Sequence, residues 1–361
     1  MATDERIFSC DDHLDLWALP PDLWQARMPA ALRERAPRVV HHQQQDLWMA
    51  GDVFLGPSRL RQASYSAIAR AGIEDDGFRA STPALRLADM DTDGIWSSVI
   101  YGPSLLGLAI PDPELKADCL RAYNDWAAEF NAAAPNRLCV LPVLPAHDPA
   151  AAVAELTRAA MAGHRGAILF CFETRVSDPK WEPLWAAAAE TGLPISFHIG
   201  GGCSLLELNP QSWQLAAWSA VAPMQLDEPL CAMIFSGALE RNPGMKLVLA
   251  EAGIGWVPYI LERMDSGAEK HLASAKDYRL RAKPSEIFRR QVLVTFEEEP
   301  LGPRLIPLIG ADNVMWASDY PHPDSTFPHS RRAIDEAFAG LDPEIRRKAT
   351  GENCARLYGL S

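Results

Sequence analysis

A chain of 361 residues with 48% hydrophobic and 22% charged side chains has an ordinary globular composition and enough length to bury one large core. Its net charge of -13 excludes a nucleic-acid binder, which needs clustered Lys and Arg, and disfavours anionic membrane surfaces. No apolar run is long enough to span a bilayer, and no apolar stretch follows the charged N-terminus. Seven cysteines scattered singly, without CxxC, do not read as a disulfide framework, so reduced thiols in a cytoplasmic protein are expected.

Taken in chain order, the first strand is Ile7 to Cys10, running into Asp11-Asp12-His13-Leu14-Asp15. Residues 17–90 then break any regular pattern, with Pro20-Pro21, Pro29, Pro37, Gln43-Gln44-Gln45, Gly51 and Gly56 among Trp17, Trp24, Trp48 and Tyr65. This stretch reads as a long insertion after the first strand, folded over the active face as a lid. Strand-like runs follow at Ile95–Tyr101, Leu138–Leu144, Gly166–Phe170, Pro194–His198, Met245–Ala250, Val292–Phe296 and Val314–Ser318. Between them, Pro113–Ala133 is rich in helix formers. Asp148-Pro149 and Asp178-Pro179 each supply an N-cap followed by an N1 proline. Gly192 stops the second of these helices as a C′ residue.

About eight strands alternating with helices predict parallel βαβ units closed into a (β/α)8 TIM barrel, kept as a single domain over 1–361 with the lid at 17–90. A doubly wound open sheet is the alternative, but it accounts less well for polar residues that follow strands along the entire chain.

Those polar residues carry the chemistry. Alternate residues of a strand share a face, so Asp11 and His13 point into one cavity while Asp12 turns away. His198 ends the fifth predicted strand and Asp319 follows the eighth. Two carboxylates and two imidazoles at strand ends are the donor set of one divalent metal, Zn²⁺ first and Mn²⁺ as the alternative, with room left for water. Glu251 ends the sixth predicted strand and His322 lies three residues past Asp319; both are candidates for proton transfer. Glu297 reads as part of a solvated acidic rim, Glu297-Glu298-Glu299, and His41-His42 as solvated. Gly200-Gly201-Gly202 lacks a nucleotide-binding frame, and no G-x-S-x-G supports a serine hydrolase.

On the acid-x-His of Asp11 and His13, Phe197-His198-Ile199-Gly200-Gly201, Glu251-Ala252-Gly253-Ile254-Gly255-Trp256, Ser318-Asp319-Tyr320-Pro321-His322 and Gly351-Glu352-Asn353-Cys354-Ala355-Arg356-Leu357-Tyr358-Gly359, the chain resembles the amidohydrolase superfamily over nearly its whole length. The similarity is to the branch that also holds the aminocarboxymuconate-semialdehyde and resorcylate decarboxylases. It implies a (β/α)8 barrel with Asp11, His13, His198 and Asp319 in the ligand positions. Two departures stand out. Asp11 occupies a slot that is His in many members and Glu in the decarboxylases, and Glu251 stands where the decarboxylases carry a histidine.

A glutamate cannot offer a positive charge to a substrate. The reaction expected first is therefore metal-dependent hydrolysis of a small carboxylated or aromatic molecule. The metal lowers the pKa of a bound water, Asp319 takes its proton, Asp319 or His322 returns one to the leaving group, and Glu251 assists. Non-oxidative decarboxylation of an aromatic or unsaturated acid is the alternative, and a non-catalytic metal- or ligand-binding barrel the third reading. A homodimer is the expected assembly.

Overall fold

Eight parallel strands and three antiparallel ones organise the chain in a computed structural model that describes residues 5–59, 66–103, 110–172, 174–201, 205–206, 211–276, 278 and 280–361. Tyr65, Gly202 and Cys203 lie outside the described residues. The parallel strands are β1 (Ile7–His13), β5 (Ile95–Tyr101), β6 (Leu138–Val140), β7 (Ala167–Ile168), β8 (Ile195–His198), β9 (Leu247–Ala250), β10 (Val292–Phe296) and β11 (Val314–Trp316). All eight predicted strands are present. Pro142 cuts β6 short of its expected end because it cannot donate to a ladder. The first strand runs three residues further than its apolar run, because Asp12 and His13 pair with Ile100 and Tyr101.

These strands form two parallel sheets, β1-β5-β6 and β11-β10-β9-β8-β7. Backbone hydrogen bonds join the sheets at both seams. At one, Ile168 N donates to Pro142 O (2.9 Å) and Leu144 N to Ile168 O (2.8 Å). At the other, His13 N donates to Tyr320 O (2.7 Å) and Asp319 N to Asp11 O (3.0 Å). Every residue of the eight strands except Trp96 is buried, as expected of near-continuous apolar runs covered on both faces.

The connecting helices begin where the sequence placed them. Asp148 accepts from Ala150 N (2.8 Å) and Ala151 N (3.3 Å) at the head of Pro149–Met161. The Asp178 cap opens a 3-10 turn, Pro179–Trp181, before the helix Glu182–Thr191, and Gly192 ends that helix at φ 71°. Among the described residues no helix is long and apolar enough to cross a membrane. The six described cysteines are unpaired, and all but Cys231 are buried.

The region after β1 is more ordered than its composition suggested. Strands β2 (Pro37–His42), β3 (Gln45–Ala50) and β4 (Val53–Ser58) form an antiparallel sheet. Trp48 from β3 packs edge-on to Trp24, with centroids 5.1 Å apart, and Trp24 Nε1 donates to Cys119 O (2.9 Å). Two fully buried indoles of this size anchor the sheet to the helix Pro113–Ala132. Ala67 N donates to Pro321 O (2.9 Å), bringing the far side of this region against the turn that follows Asp319.

Candidate metal centre

The carboxyl ends of β1, β8, β9 and β11 converge, and each contributes a polar side chain. His13 Nε2 lies 3.6 Å from Asp11 Oδ1 and 3.1 Å from Asp319 Oδ1. His198 Nε2 lies 3.4 Å from Asp11 Oδ1. Glu251 Oε2 joins the same group, 3.2 Å from His198 Nε2 and 3.6 Å from His13 Nε2. Two donors each about 2.1 Å from a shared ion, at angles of roughly 90–110°, are separated by about 3.0–3.4 Å. Three of the five observed spacings fall in that range, and the two at 3.6 Å lie just beyond it.

Asp11 Oδ1, His13 Nε2, His198 Nε2 and Asp319 Oδ1 are buried without a hydrogen-bond partner. Buried polar atoms are rarely left so, and a cluster of them facing one point is accounted for by a bound cation. The other ends of these side chains are held. Asp11 Oδ2 accepts from Glu251 N (2.6 Å) and Thr295 Oγ1 (2.9 Å). His198 Nδ1 lies 2.8 Å from Ile199 O, so Nδ1 carries the hydrogen and the Nε2 lone pair faces the cluster. These residues therefore fit a divalent ion.

Two of the residues sit on strained backbone. Glu251 and Asp319 have φ of 52° and 60°, the left-handed region that side chains with a Cβ seldom adopt. At Asp319 the turn is held by Asp319 N donating to Asp11 O. At Glu251, Asp11 and Thr295 take its N–H, and Glu299 accepts from Ile254 N (2.8 Å) and Gly255 N (3.1 Å) just beyond.

Electrostatics tie the cluster to its surroundings. Burial alone would lower the His198 pKa, but Asp11 and Glu251 outweigh it and hold the imidazole well above its usual range. Burial likewise opposes ionisation of Asp319, yet His322 and His13 bring its carboxyl down to about 2. His322 bridges two carboxylates, with Nδ1 at 2.8 Å from Asp319 Oδ1 and Nε2 at 2.7 Å from Asp15 Oδ2. Its ring stacks on that of His13, centroids 3.9 Å apart. Against burial, Asp319 and Asp15 push the His322 pKa well above its usual value.

Each residue singled out from the sequence is thus found here, in two groups that share His13: Asp11, His13 and His198 offer ligand atoms within 4.8 Å of one another, and so do His13, Glu251, Asp319 and His322. Glu251 Oε2 approaches the Nε2 atoms of His13 and His198, on the side that faces the cluster. Asp12 turns away as alternation requires, accepting from Ser9 Oγ (2.7 Å), Ser318 Oγ (2.7 Å) and Ser98 Oγ.

Four further residues were missed. Asp15 pairs with His322, and Thr295 bridges Asp11 and Glu251. Arg86, wholly buried, donates to His13 O (2.9 Å) and lies 3.4 Å from Asp12 Oδ2. Glu297 differs from its expected place on a solvated rim: its Oε1 is buried and unpartnered. Only Asp15 had a sequence signal, its i+2 spacing from His13. A separate cavity of about 320 Å³, lined by Glu240, Pro243, Arg281, Ala282, Arg290 and Gln291, lies toward the opposite ends of β9 and β10.

Comparison with known proteins agrees with this geometry. The amidohydrolase family model matches residues 107–360. A γ-resorcylate decarboxylase of Rhodococcus jostii (strain RHA1) is 26% identical over 300 residues, covering 76% of this chain and 87% of the relative. Among solved structures, an amidohydrolase from Mycobacterium avium subsp. paratuberculosis K-10 superposes with a TM-score of 0.79 at 20% identity, covering 100% of this chain and 99% of its own. A dihydroxybenzoic acid decarboxylase from Polaromonas sp. JS666, with manganese and 2-nitroresorcinol bound, superposes at 0.67 with 18% identity, covering 99% and 97%.

The expectation of hydrolysis through a metal-activated water is corrected by the sequence relatives, which are γ-resorcylate and aminocarboxymuconate-semialdehyde decarboxylases. The objection to decarboxylation was that Glu251 replaces a cationic histidine. Geometry answers that objection with a second imidazole: His322, on the turn after β11, lies 2.8 Å from Asp319 Oδ1.

Proposed function

Because the chain belongs to the amidohydrolase family, we propose that it is a metal-dependent, non-oxidative decarboxylase of a small aromatic or unsaturated carboxylic acid. The scaffold in this reading is a closed (β/α)8 barrel. Its support is the run of eight parallel strands with backbone hydrogen bonds across both seams. The region 17–90 acts as a lid, a role supported by the contact between Ala67 and Pro321 beside the site.

Asp11, His13, His198 and Asp319 would hold the ion, with Glu251 as a further oxygen donor. Three carboxylates against two imidazoles make an oxygen-rich set that favours Mn²⁺ over Zn²⁺. When bound, the ion would supply a Lewis acid for the substrate carboxylate.

The remaining work falls to the protein. His322, set between Asp15 and Asp319, would offer a positive charge toward an incoming carboxylate. A full charge in a site with little water attracts an anion more strongly than it would in bulk solvent. Asp319 keeps His322 charged while presenting Oδ1 to the cluster, and Thr295 fixes Asp11 so that its Oδ1 stays inward. The Tyr101 ring, 5.0 Å from that of His198, gives the cavity an aromatic wall suited to a planar acid.

The observation that carries the reading is the set of buried, unpartnered ligand atoms of Asp11, His13, His198 and Asp319 in a chain similar to a γ-resorcylate decarboxylase. The test is a panel of aryl and unsaturated carboxylates given to Mn²⁺-loaded protein, with CO2 and product mass recorded. The reading expects release of CO2 with replacement of the carboxyl group by hydrogen. An absence of CO2 from every acid, with the metal in place, rejects it.

A further inference from the structure

The cavity of about 320 Å³ lies at the amino ends of β9 and β10, away from the carboxyl ends that carry the metal centre. The helix Ala238–Arg241 gives it Glu240, and the turn that follows gives Pro243. Arg281 and Ala282 come from the segment leading into the helix Pro284–Gln291, and Arg290 and Gln291 close that helix just before β10. Small-molecule sites start at about 300 Å³, so the hollow suits a molecule of one ring.

Glu240 is spent on the chain itself. Its Oε1 accepts from Arg281 N (2.9 Å) and Ala282 N (3.0 Å), and its Oε2 from Tyr278 Oη (2.8 Å). These contacts fix residues 278–282 against the helix that carries Glu240 and so shape one wall. Gln291 is 2% exposed, and its Nε2 donates to Leu239 O (2.8 Å), Asn242 O (3.0 Å) and Met245 O (3.2 Å). Three carbonyls around Nε2 orient the amide, and no described donor reaches Oε1. A buried acceptor without a partner is therefore what Gln291 offers the cavity.

The cationic groups are unspent as well. Arg241 and Arg356 nearby pair with Glu182 and Asp312. The guanidinium groups of Arg281 and Arg290 form no ion pair among the described residues. Lys246 joins them through its Nζ, which donates to Arg290 O (2.5 Å). Burial and then the charge of Arg356 lower the Lys246 pKa, the mark of a corner crowded with cations in a chain of net charge -13. Within the lining, Arg281 and Arg290 against Glu240 leave one surplus positive charge.

We propose that this cavity is a second binding site, separate from the metal centre, for a small hydroxylated aromatic monocarboxylate. Its carboxylate pairs with Arg281 and Arg290, whose planar forks match a carboxylate, and one negative charge balances the surplus. Its ring lies on Pro243 and Ala282, and its hydroxyl donates to Gln291 Oε1. Inorganic phosphate overshoots the charge and leaves the apolar wall uncovered. The ligand shares the class of the proposed substrate, but the assignment does not rest on the decarboxylase reading, since none of these six residues belongs to the metal centre.

The experiment uses the full chain as wild type, Arg281→Ala and Arg290→Ala, with Arg332→Ala as a control for lost charge, because Arg332 pairs with Glu336 on an exposed helix. Each protein, loaded with Mn²⁺ and again after chelation, is titrated calorimetrically with benzoate, the three monohydroxybenzoates and inorganic phosphate. Wild type is expected to keep one site for a hydroxybenzoate after the metal is removed. That acid should bind it about tenfold more tightly than benzoate does. Arg281→Ala and Arg290→Ala should each weaken this site about 10- to 100-fold and leave Mn²⁺ binding unchanged. Arg332→Ala should match wild type.

A wild-type protein with no metal-independent site overturns the assignment. So do arginine variants that bind as wild type does, benzoate that matches every hydroxybenzoate, or phosphate that binds as tightly as the acids. Should an alanine variant fail to fold, Arg290→Lys, which keeps the charge and loses the fork, decides by the same comparison. A protein that keeps the metal-independent site but releases no CO2 from any aryl acid loses the decarboxylase reading alone.

Discussion

Replacing Arg86 with Met tests whether the site depends on a buried ion pair behind the strand that carries Asp11 and His13. Arg86 is 0% exposed and Asp12 is 2% exposed, with Nη2 3.4 Å from Asp12 Oδ2. Burial pulls the guanidinium pKa below its usual value, and Asp12 and Tyr320 pull it back. Removing one partner of a buried pair strands the other charge and costs about 3–5 kcal/mol. Asp12 keeps donors from Ser9, Ser98, Ser318 and the Tyr320 N–H, which places Arg86→Met near the lower end, at about 3 kcal/mol. The same change frees His13 O from its 2.9 Å hydrogen bond, so Mn²⁺ affinity should fall with stability. Urea unfolding of metal-free protein measures the first effect, and calorimetric titration with Mn²⁺ the second. Adding Asp12→Asn removes the stranded charge, so the double variant should lose less than the sum of the single losses. A loss under about 1 kcal/mol, or strict additivity, would refute the view that this pair is coupled.

Other consequences follow from the same structure. Mn²⁺ at about 100 times its Kd should raise unfolding stability by roughly 2.7 kcal/mol; His198→Ala should abolish the gain, and an unchanged gain would remove His198 from the ligands. His322→Phe keeps a ring stacked on His13 but loses the charge. We expect kcat/KM for an aryl acid to fall about 10- to 100-fold, mainly through KM, with metal content intact; an unaltered KM would show that His322 does not meet the carboxylate. Arg241 holds Glu182 below the usual carboxylate range through contacts of 2.7 and 3.0 Å. A depressed pKa gives stability above the ordinary carboxylate pKa that is lost as pH falls through the lowered value. Glu182→Gln should therefore flatten the acid limb of the stability curve, by less than about 1 kcal/mol because both groups are part-exposed. An acid limb identical to wild type would contradict this.

The strands were legible because each is an apolar run bounded by Pro, Gly or a charged residue, and burial on both faces leaves little else for such a run to be. Asp11, His13, His198 and Asp319 were legible for a related reason, since polar residues at the ends of buried strands have few structural uses. The β2–β3 hairpin was not. Its two-residue turn is Gln43-Gln44, both at positive φ (46° and 69°), where Asn or Gly would normally announce it. Arg86 and Glu297 lie 73 residues from His13 and 22 from Asp319, and only the folded chain brings them to the site.

The preference for hydrolysis had a definite source. Glu251 was weighed as a missing cation, although a second imidazole, His322, stands beside the cluster against an Asp15 that no pattern in the sequence paired with it. Local pattern located the donors, and long-range charge pairing determined what they can do.

The most direct test of the central claim is a single-turnover reaction of Mn²⁺-loaded protein with 2,6-dihydroxybenzoate and related aryl acids in ¹⁸O-labelled water, read by mass spectrometry. The account predicts CO2 and a product that has exchanged its carboxyl group for hydrogen without gaining ¹⁸O. A product that carries ¹⁸O while no CO2 is released would contradict it.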